Sequence, residues 1–450
     1  MRIVHITAGA GGRICGSCLH DNALVRALRS RGGDAVLLPA YVPTTTDEEN
    51  VADPTIVMGG VNVWLQEHLP LFRHTPAFVD RLFDSRRLLE WLSGRTGGTR
   101  AADLGGLTAS SLEGERGHQR KEVEKLARFL AAGGVHGARP DVVHLSNVLL
   151  LGLARRVRAA SGAAIVCSLS GEDIFIEQIP EPHYGRVRRL LRQRAEDVDA
   201  FVALDGSYAD FMAHYLDVPR GRITVVPHGV DPAGYPPEPP DLVARRAGRG
   251  GLVVGALARA CPEKGLDVLI RAVGLLAASH EVRLVAAGAT IDAERPYLDR
   301  CRRLAAELGL GDRFEWRGQV DRPGKLALLA EADLFAMPTV HPEAKGIPVL
   351  EAFTAGLPVV APRHGVFPAY VGGELAAARG LLHRPGDERD LHAMLLLLAD
   401  DPPLAARLGA AAHGFARTRH SPEAMAAGHE ALYRAALRAR RADGEIGHTD

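Results

Sequence analysis

Short apolar runs alternate with longer amphipathic stretches along this chain, and a proline-rich run interrupts the alternation once. That pattern predicts β-α units wound around parallel sheets. In the first half the expected strands are Ile3–Ile6, Ala35–Pro39, Val142–Leu145, Ile165–Leu169, Phe201–Leu204 and Ile223–Val226, with a helix containing Asp210–Tyr215 between the last two. Residues 60–135 are less regular, rich in Arg, Glu and Gly, and read as an elaboration with helices such as Arg120–Leu130. The run from Pro227 to Pro240 suits neither a helix nor a central strand, so it marks a domain boundary. The alternation then restarts. Strands are expected at Leu252–Leu257, Val282–Ala287, Phe314–Trp316, Asp333–Met337 and Val359–Ala361, and helices at Leu266–Ala278 and Ala293–Leu308. Ser421-Pro422-Glu423 reads as the start of a last helix reaching about Arg441, with Ser as cap and Pro in the first turn. The expected organisation is an N-terminal domain over 1–230, a linker over 231–250 and a C-terminal domain over 251–420, with the terminal helix 421–441 grouped with the first domain.

Composition narrows the function classes. The 450 residues suit two or three domains, each large enough for a core. The formal net charge is zero, so no bulk field favours nucleic acid or an acidic surface. Met1–Thr7 reads as a strand and not a signal peptide, and no apolar run approaches the roughly 18 residues needed to span a bilayer. Five cysteines, at 15, 18, 167, 261 and 301, give no disulfide framework, and a reducing cytoplasm is the expected location.

The chemistry concentrates between Pro338 and Ala361. Glu343 and Glu351 stand eight positions apart with Gly346 between them. One acid is placed on a loop at the C-terminal edge of a parallel sheet, the other about two turns into the following helix. Between them the helix start offers backbone N–H groups to an anion. The ordinary alternative is a surface loop with Glu351 near a positive helix end. A second loop, Gly255–Gly265, carries Arg259 and Lys264 five positions apart, and both cations could converge on one diphosphate. Read as a solvated loop, Lys264 near a helix start would oppose the helix dipole. Acids that bind hydroxyls beside a helix end that binds phosphate suggest a ligand that is both sugar and phosphate.

Other segments carry weaker signals. Gly9, Gly11, Gly12 and Gly16, after the first strand, allow close backbone approach to a ligand, but position 14 lacks the glycine of a dinucleotide fingerprint. Cys15-Gly-Ser-Cys18 supplies two of the four ligands zinc wants, and a thioredoxin-like role would need a different, smaller fold; two small residues packing a tight turn is the preferred reading. Ser168–Asp173 places polar groups at a strand's C-terminal edge, with Glu172 or Asp173 as a helix cap the structural alternative. Asp197-Val-Asp199 precedes its strand, on the wrong sheet edge for a metal-binding acid pair. No metal site is expected.

Taken together these residues resemble the retaining glycosyltransferases of family 4, which have the GT-B fold of two Rossmann-like domains facing across a cleft. The family's Glu-x7-Glu signature matches Glu343–Glu351, followed by Ala352, Ala355-Gly356 and Pro358-Val359. Its phosphate clamp matches Gly255, Arg259, Lys264 and Gly265; its linker entry matches Ile223–Asp231, with His228 in place of Asn. Phe314–Gly318 matches a strand whose glycine approaches the nucleobase, and Pro385-Gly-Asp387 a common late turn. The resemblance is dense from about 140 to 420 and rests at the N-terminus on the glycine loop.

The resemblance implies a metal-independent transfer of a sugar from a nucleotide-sugar, a UDP- or GDP-sugar, to an acceptor hydroxyl with retention. It implies no cofactor beyond that co-substrate. Arg259, Lys264 and Glu343 would be the catalytic residues: the cations hold the diphosphate and Glu343 binds the transferred sugar. Gly16, Gly318, Gly346, Ile347, Val349, Leu350 and Glu351 would bind the donor, with Glu351 on the ribose. Ser170, Glu172 and Asp173 would lie on the acceptor or sugar side, the acceptor being a glycan, a lipid or a small molecule. Nucleic acid and an obligate protein partner are not implied; peripheral contact with the inner face of the membrane is. One departure stands out: Ser170 occupies the place of the family's crevice His, and a second family motif, His-x-His, is half present as His144-Leu-Ser146. Ser170 therefore motivates a second reading, a protein of the same fold that binds nucleotide-sugars with impaired transfer. An epimerase or a redox protein built on Cys15 and Cys18 ranks below both.

Overall fold

The computed structural model describes residues 1–9, 15–73, 75, 101–134, 137–373, 375 and 377–446. Gly11 and Gly12 of the glycine loop, much of the elaboration and the last four residues lie outside them. The chain divides into two compact units, one formed by Met1–Pro227 with Pro422–Asp450 and the other by His228–Ser421. Residues 231–250 lie within the second unit and include a helix, Leu242–Arg249, whose N-terminus Asp241 caps through the Ala244 amide at 3.0 Å.

In the first unit six parallel strands run β1 Arg2–Thr7, β2 Asp34–Pro39, β3 Val142–Leu145, β4 Ala164–Leu169, β5 Ala200–Ala203 and β6 Ile223–Val225, in the order β2-β1-β3-β4-β5-β6. Every residue of β4 is buried, as a strand covered on both faces requires. Successive side chains point to opposite faces. Val4, Ile6, Val143 and Leu145 pack among the helices of the elaboration, and Ile3, Val142 and Val166 pack against Leu24 and Leu28 and the terminal helix residues Met425, Ala426 and Tyr433. The helices on this second face are Gly16–Ser30 and Pro422–Ile446. The terminal helix thus completes the core of the unit in which the chain begins.

The second unit repeats the plan with β7 Leu252–Leu257, β8 Val282–Ala287, β9 Phe314–Trp316, β10 Leu334–Ala336, β11 Val359–Pro362 and β12 Gly380–His383, all parallel, in the order β12-β11-β10-β7-β8-β9. The α/β class with two parallel-sheet units is the one the alternation predicts. The short β12 and the helices Glu388–Asp400 and Pro402–Arg419 have no counterpart in the sequence expectations, although Asp387, in the turn recognised there, caps the first of these helices through the amides of Arg389 and Asp390.

Each sheet has one point where strand order reverses. It lies between β1 and β3 in the first unit and between β7 and β10 in the second. Ligands of open α/β sheets bind at the carboxyl ends of the strands there. Among the described residues no helix is long and apolar enough to cross a membrane.

Candidate functional site

The loops leaving β7 and β10 meet at the reversal of the second sheet, and backbone bonds fix their contact. The Glu263 carbonyl accepts the Val340 amide and the Thr339 hydroxyl, each at 2.9 Å. Gly265 sits at φ +66°, and a Cβ there would lie 2.2 Å from the Pro338 carbonyl oxygen. Only glycine lets the two loops approach this closely. Held in this way, Lys264 and Glu343 form an ion pair, Nζ to Oε1, with 26% and 17% of their side-chain surface exposed. The Glu343 backbone is pinned from the other side: its carbonyl accepts the Val366 amide at 2.8 Å, and Gly365 packs against it too closely for any Cβ.

Arg259 leaves the same loop in another direction. Its Nε lies 3.0 Å from Glu294 Oε1, and half of its side chain is exposed. The two cations therefore each hold a separate carboxylate among the described residues.

Glu351 is the fifth residue of the helix Ile347–Thr354, nearer one turn than two from its start. Gly346 caps that helix at φ +58°, packed against Val366, Phe367 and Tyr370. Pro348 has no N–H, and the Val349 and Leu350 amides both bond to the Gly346 carbonyl, at 2.9 and 3.3 Å. That leaves Gly346 and Ile347 as helix-start amides with no backbone partner among the described residues. Glu351 is buried and pairs with Lys325 of the helix Arg322–Glu331. Gly318, at φ +69°, follows β9, and its carbonyl accepts the Gly288 amide at 2.8 Å.

Three partners here were not legible as site residues. Lys325, Glu294 and His364 come from separate elements without a motif; the rarity of lysine was the one available signal for the first. Both ring nitrogens of His364, just past β11, are buried and, among the described residues, meet no partner at normal hydrogen-bond geometry. Burial holds its pKa below the usual histidine value against the opposing pull of the Thr339 backbone and Glu343.

In the first unit the residues expected on the acceptor side brace one another. The Ser170 amide donates to Glu172 Oε2 at 3.0 Å, and the Ser170 hydroxyl reaches the Ser146 carbonyl at 3.4 Å. Tyr208 accepts the Gly171 amide at 2.8 Å and donates to Asp173 Oδ1 at 2.6 Å. Neither acid caps the short helix Asp173–Ile176 through its side chain in the way a cap residue does. Gly16 opens the helix Gly16–Ser30, and Gly9, at φ +83°, lies against Val42, whose carbonyl oxygen a Cβ would meet at 1.9 Å. His144 is fully buried between Tyr433, at 2.7 Å, and Ser168, at 2.8 Å, so it serves the core and not a crevice. Asp197 and Asp199 pair with Arg194 and Arg158, at 3.2 and 3.0 Å. Among the described residues no cluster of His, Cys, Asp and Glu is arranged to hold a metal ion.

Comparison with known proteins places the chain in a family. Residues 246–415 match the family of glycosyl transferases group 1, and residues 109–233 match glycosyltransferase family 4. The GDP-mannose-dependent alpha-(1-6)-phosphatidylinositol monomannoside mannosyltransferase of Mycolicibacterium smegmatis is 32% identical over 281 residues, covering 59% of this chain and 68% of that protein. The 2-deoxystreptamine glucosyltransferase of Streptomyces kanamyceticus is 31% identical over 242 residues, 52% of this chain and 59% of that protein. The chain thus spans about three fifths to two thirds of the length of these relatives. The crystal structure of Anabaena HepE in complex with UDP and glucose superposes with a TM-score of 0.67 at 18% identity, over 95% of this chain and 97% of that one. That last likeness speaks for the fold, the GT-B architecture.

Proposed function

The chain belongs to glycosyltransferase family 4, and from that premise we propose that it moves a sugar from a nucleotide-sugar to an acceptor hydroxyl with retention and without a metal ion. The observation that carries this reading is the Lys264–Glu343 pair at the sheet's strand reversal, built from both signature loops. A partly exposed ion pair is worth about 0–1 kcal/mol. Charge-assisted hydrogen bonds from a cation to a phosphate are each worth about 1.5–3 kcal/mol. An arriving diphosphate therefore wins Lys264 from Glu343, and Glu343 is released to accept hydroxyls of the sugar. The pair is a placeholder that the donor displaces.

Arg259 joins Lys264 on the diphosphate, and the Gly346 and Ile347 amides add donors from the helix start. These contacts strengthen as charge develops on the departing phosphate, so they lower the barrier as well as bind. Glu351 behaves differently. Its pair with Lys325 is buried, and breaking such a pair by removing one partner costs about 3–5 kcal/mol. Lys325 stays and orients Glu351 towards the ribose. Gly318 gives the base close backbone approach, and His364, neutral and next to Glu343, faces the transferred sugar.

The relatives' names point to a GDP- or UDP-sugar as donor and, in several, to glycolipid acceptors. A cytoplasmic protein with peripheral contact at the inner membrane face fits such an acceptor. Incubation with GDP- and UDP-sugars tests the reading: slow donor hydrolysis, faster with an acceptor, is expected, with the anomeric configuration kept. Tight donor binding with neither hydrolysis nor transfer to any acceptor would favour the impaired binding protein that Ser170 motivates.

A further inference from the structure

Cys15 and Cys18 do more than fill a turn. Cys15 is the N-cap of the helix Gly16–Ser30, with extended backbone at φ −130° and ψ 148°, and its Sγ accepts the Cys18 amide at 3.3 Å. The Cys18 thiol is itself hydrogen-bonded to the Cys15 side chain, and a backbone bond from Thr45 reaches it from the loop after β2. Cys15 is partly exposed while Cys18 is buried. The remaining thiols, Cys167, Cys261 and Cys301, are all buried and lie on separate elements. Only one pair of cysteines is thus positioned, sulfur beside sulfur, on one turn of helix. Cα atoms three residues apart on a helical turn lie about 5 Å apart, within the roughly 4.4–6.8 Å that disulfides span.

We propose that Cys15 and Cys18 form a redox-active dithiol, which a peroxide closes to an intramolecular disulfide, and that closure slows glycosyl transfer. The first half stands on thiol chemistry alone; the second rests on the function proposed above. Cys15 is the attacking thiol. It is the accessible one, and it sits at the positive end of a four-turn helix, which favours a thiolate. Cys18 is the resolving thiol: its bond to Cys15 and its burial push its own ionisation up, so it does not start the reaction. The Cys15 thiolate attacks one peroxide oxygen, the O–O bond breaks, and the hydroxide released takes a proton to become water. Cys15 is then a sulfenic acid. The Cys18 sulfur attacks the Cys15 sulfur, the S–O bond breaks, and the departing oxygen leaves as a second water with the Cys18 proton. Two thiols lose two electrons in total, and the peroxide gains them. The disulfide draws the Cys18 sulfur off Thr45 and removes the Cys15 cap from the helix on which Gly16 is the first residue.

The test treats the full-length protein with a small molar excess of hydrogen peroxide, alkylates the remaining thiols and maps them by mass spectrometry. A two-hydrogen loss confined to the peptide carrying both cysteines, reversed by dithiothreitol, is expected. Cys18→Ser should give a Cys15 sulfenic acid that dimedone traps, and Cys15→Ser should leave Cys18 unreacted. Oxidation of Cys167, Cys261 or Cys301 ahead of this pair, or overoxidation of Cys15 with no disulfide, would overturn the dithiol. Transfer or donor hydrolysis by the oxidised protein should fall at least about five-fold and return on reduction, while Cys18→Ser keeps its rate before and after peroxide. A disulfide that forms without changing the rate overturns the regulatory half. Absence of activity towards every donor leaves the thiol readout intact, so the two failures are told apart.

Discussion

At the strand reversal of the second sheet Lys264 and Glu343 face each other with roughly a quarter and a sixth of their side-chain surface exposed, whereas beside that of the first sheet the ionisable groups His5, Asp21 and His144 are almost wholly buried. The two edges share a topology and differ in how accessible their charge is. His5 Nε2 lies 2.9 Å from Asp21 Oδ1, and its ring centroid 4.4 Å from that of His144, with the terminal helix supplying His429 and Tyr433 to the same cluster. Charge left partly open can be exchanged for a ligand's charge. Charge sealed beneath a helix can only hold that helix in place. Under the function proposed above, the second unit is the donor side by electrostatics as well as by motif.

Five substitutions or conditions break or sharpen this contrast. Lys264→Ala should lower transfer by about 10²–10³-fold, the range for a lost charge-stabilising donor, while the melting temperature stays within a few degrees because the pair it removes is weak. A large stability loss with modest kinetic change would mean the pair is structural. Lys325→Met should do the reverse first: it strands a buried carboxylate and should cost about 3–5 kcal/mol in denaturant unfolding. Adding Glu351→Gln should recover part of that stability, and a double variant less stable than the single would deny the coupling. His364→Ala should lower kcat by about ten-fold with the fold intact, a modest share of a positioned group's effect.

The fourth concerns pH. Burial lowers the His429 pKa to about 4, against an unfolded value of about 6.5. The unfolded chain binds the proton first, so this contribution to stability is intact above pH 6.5 and lost as pH falls towards 4. His429→Leu should flatten the fall over that window, measured by thermal unfolding; an unchanged slope would remove the cluster from the account. The smallest effect is expected for Cys18→Ala, less than about two-fold in transfer under reducing conditions, since its thiol touches no reacting group in the proposed site. A larger loss than for Lys264→Ala would invert the ranking of the two edges.

What the sequence disclosed follows from distance along the chain. Glu343, Gly346 and Glu351 lie within one loop and one helix, and Arg259 and Lys264 within another, so spacing alone registers them. Buried runs such as those of β4 and β7 were equally plain, because a doubly covered strand is apolar throughout. Lys325 and Glu294 were not legible, since each meets its partner through tertiary packing, across 26 residues for the first. His144 illustrates the converse. Half of a family motif invites a functional reading, yet the ring is consumed by Tyr433, 289 positions away. The placement of Gly11 and Gly12, outside the described residues, leaves that part of the glycine loop an expectation.

The terminal helix has a consequence for biosynthesis. The face of the first sheet that carries Ile3, Val142 and Val166 is closed by Met425, Ala426 and Tyr433, which leave the ribosome after the whole of His228–Ser421. At about 5–20 residues per second the first unit waits on the order of ten to forty seconds with that face covered by the helix Gly16–Ser30 alone. The unit encoded first is the one finished last, and the second can fold in the interval.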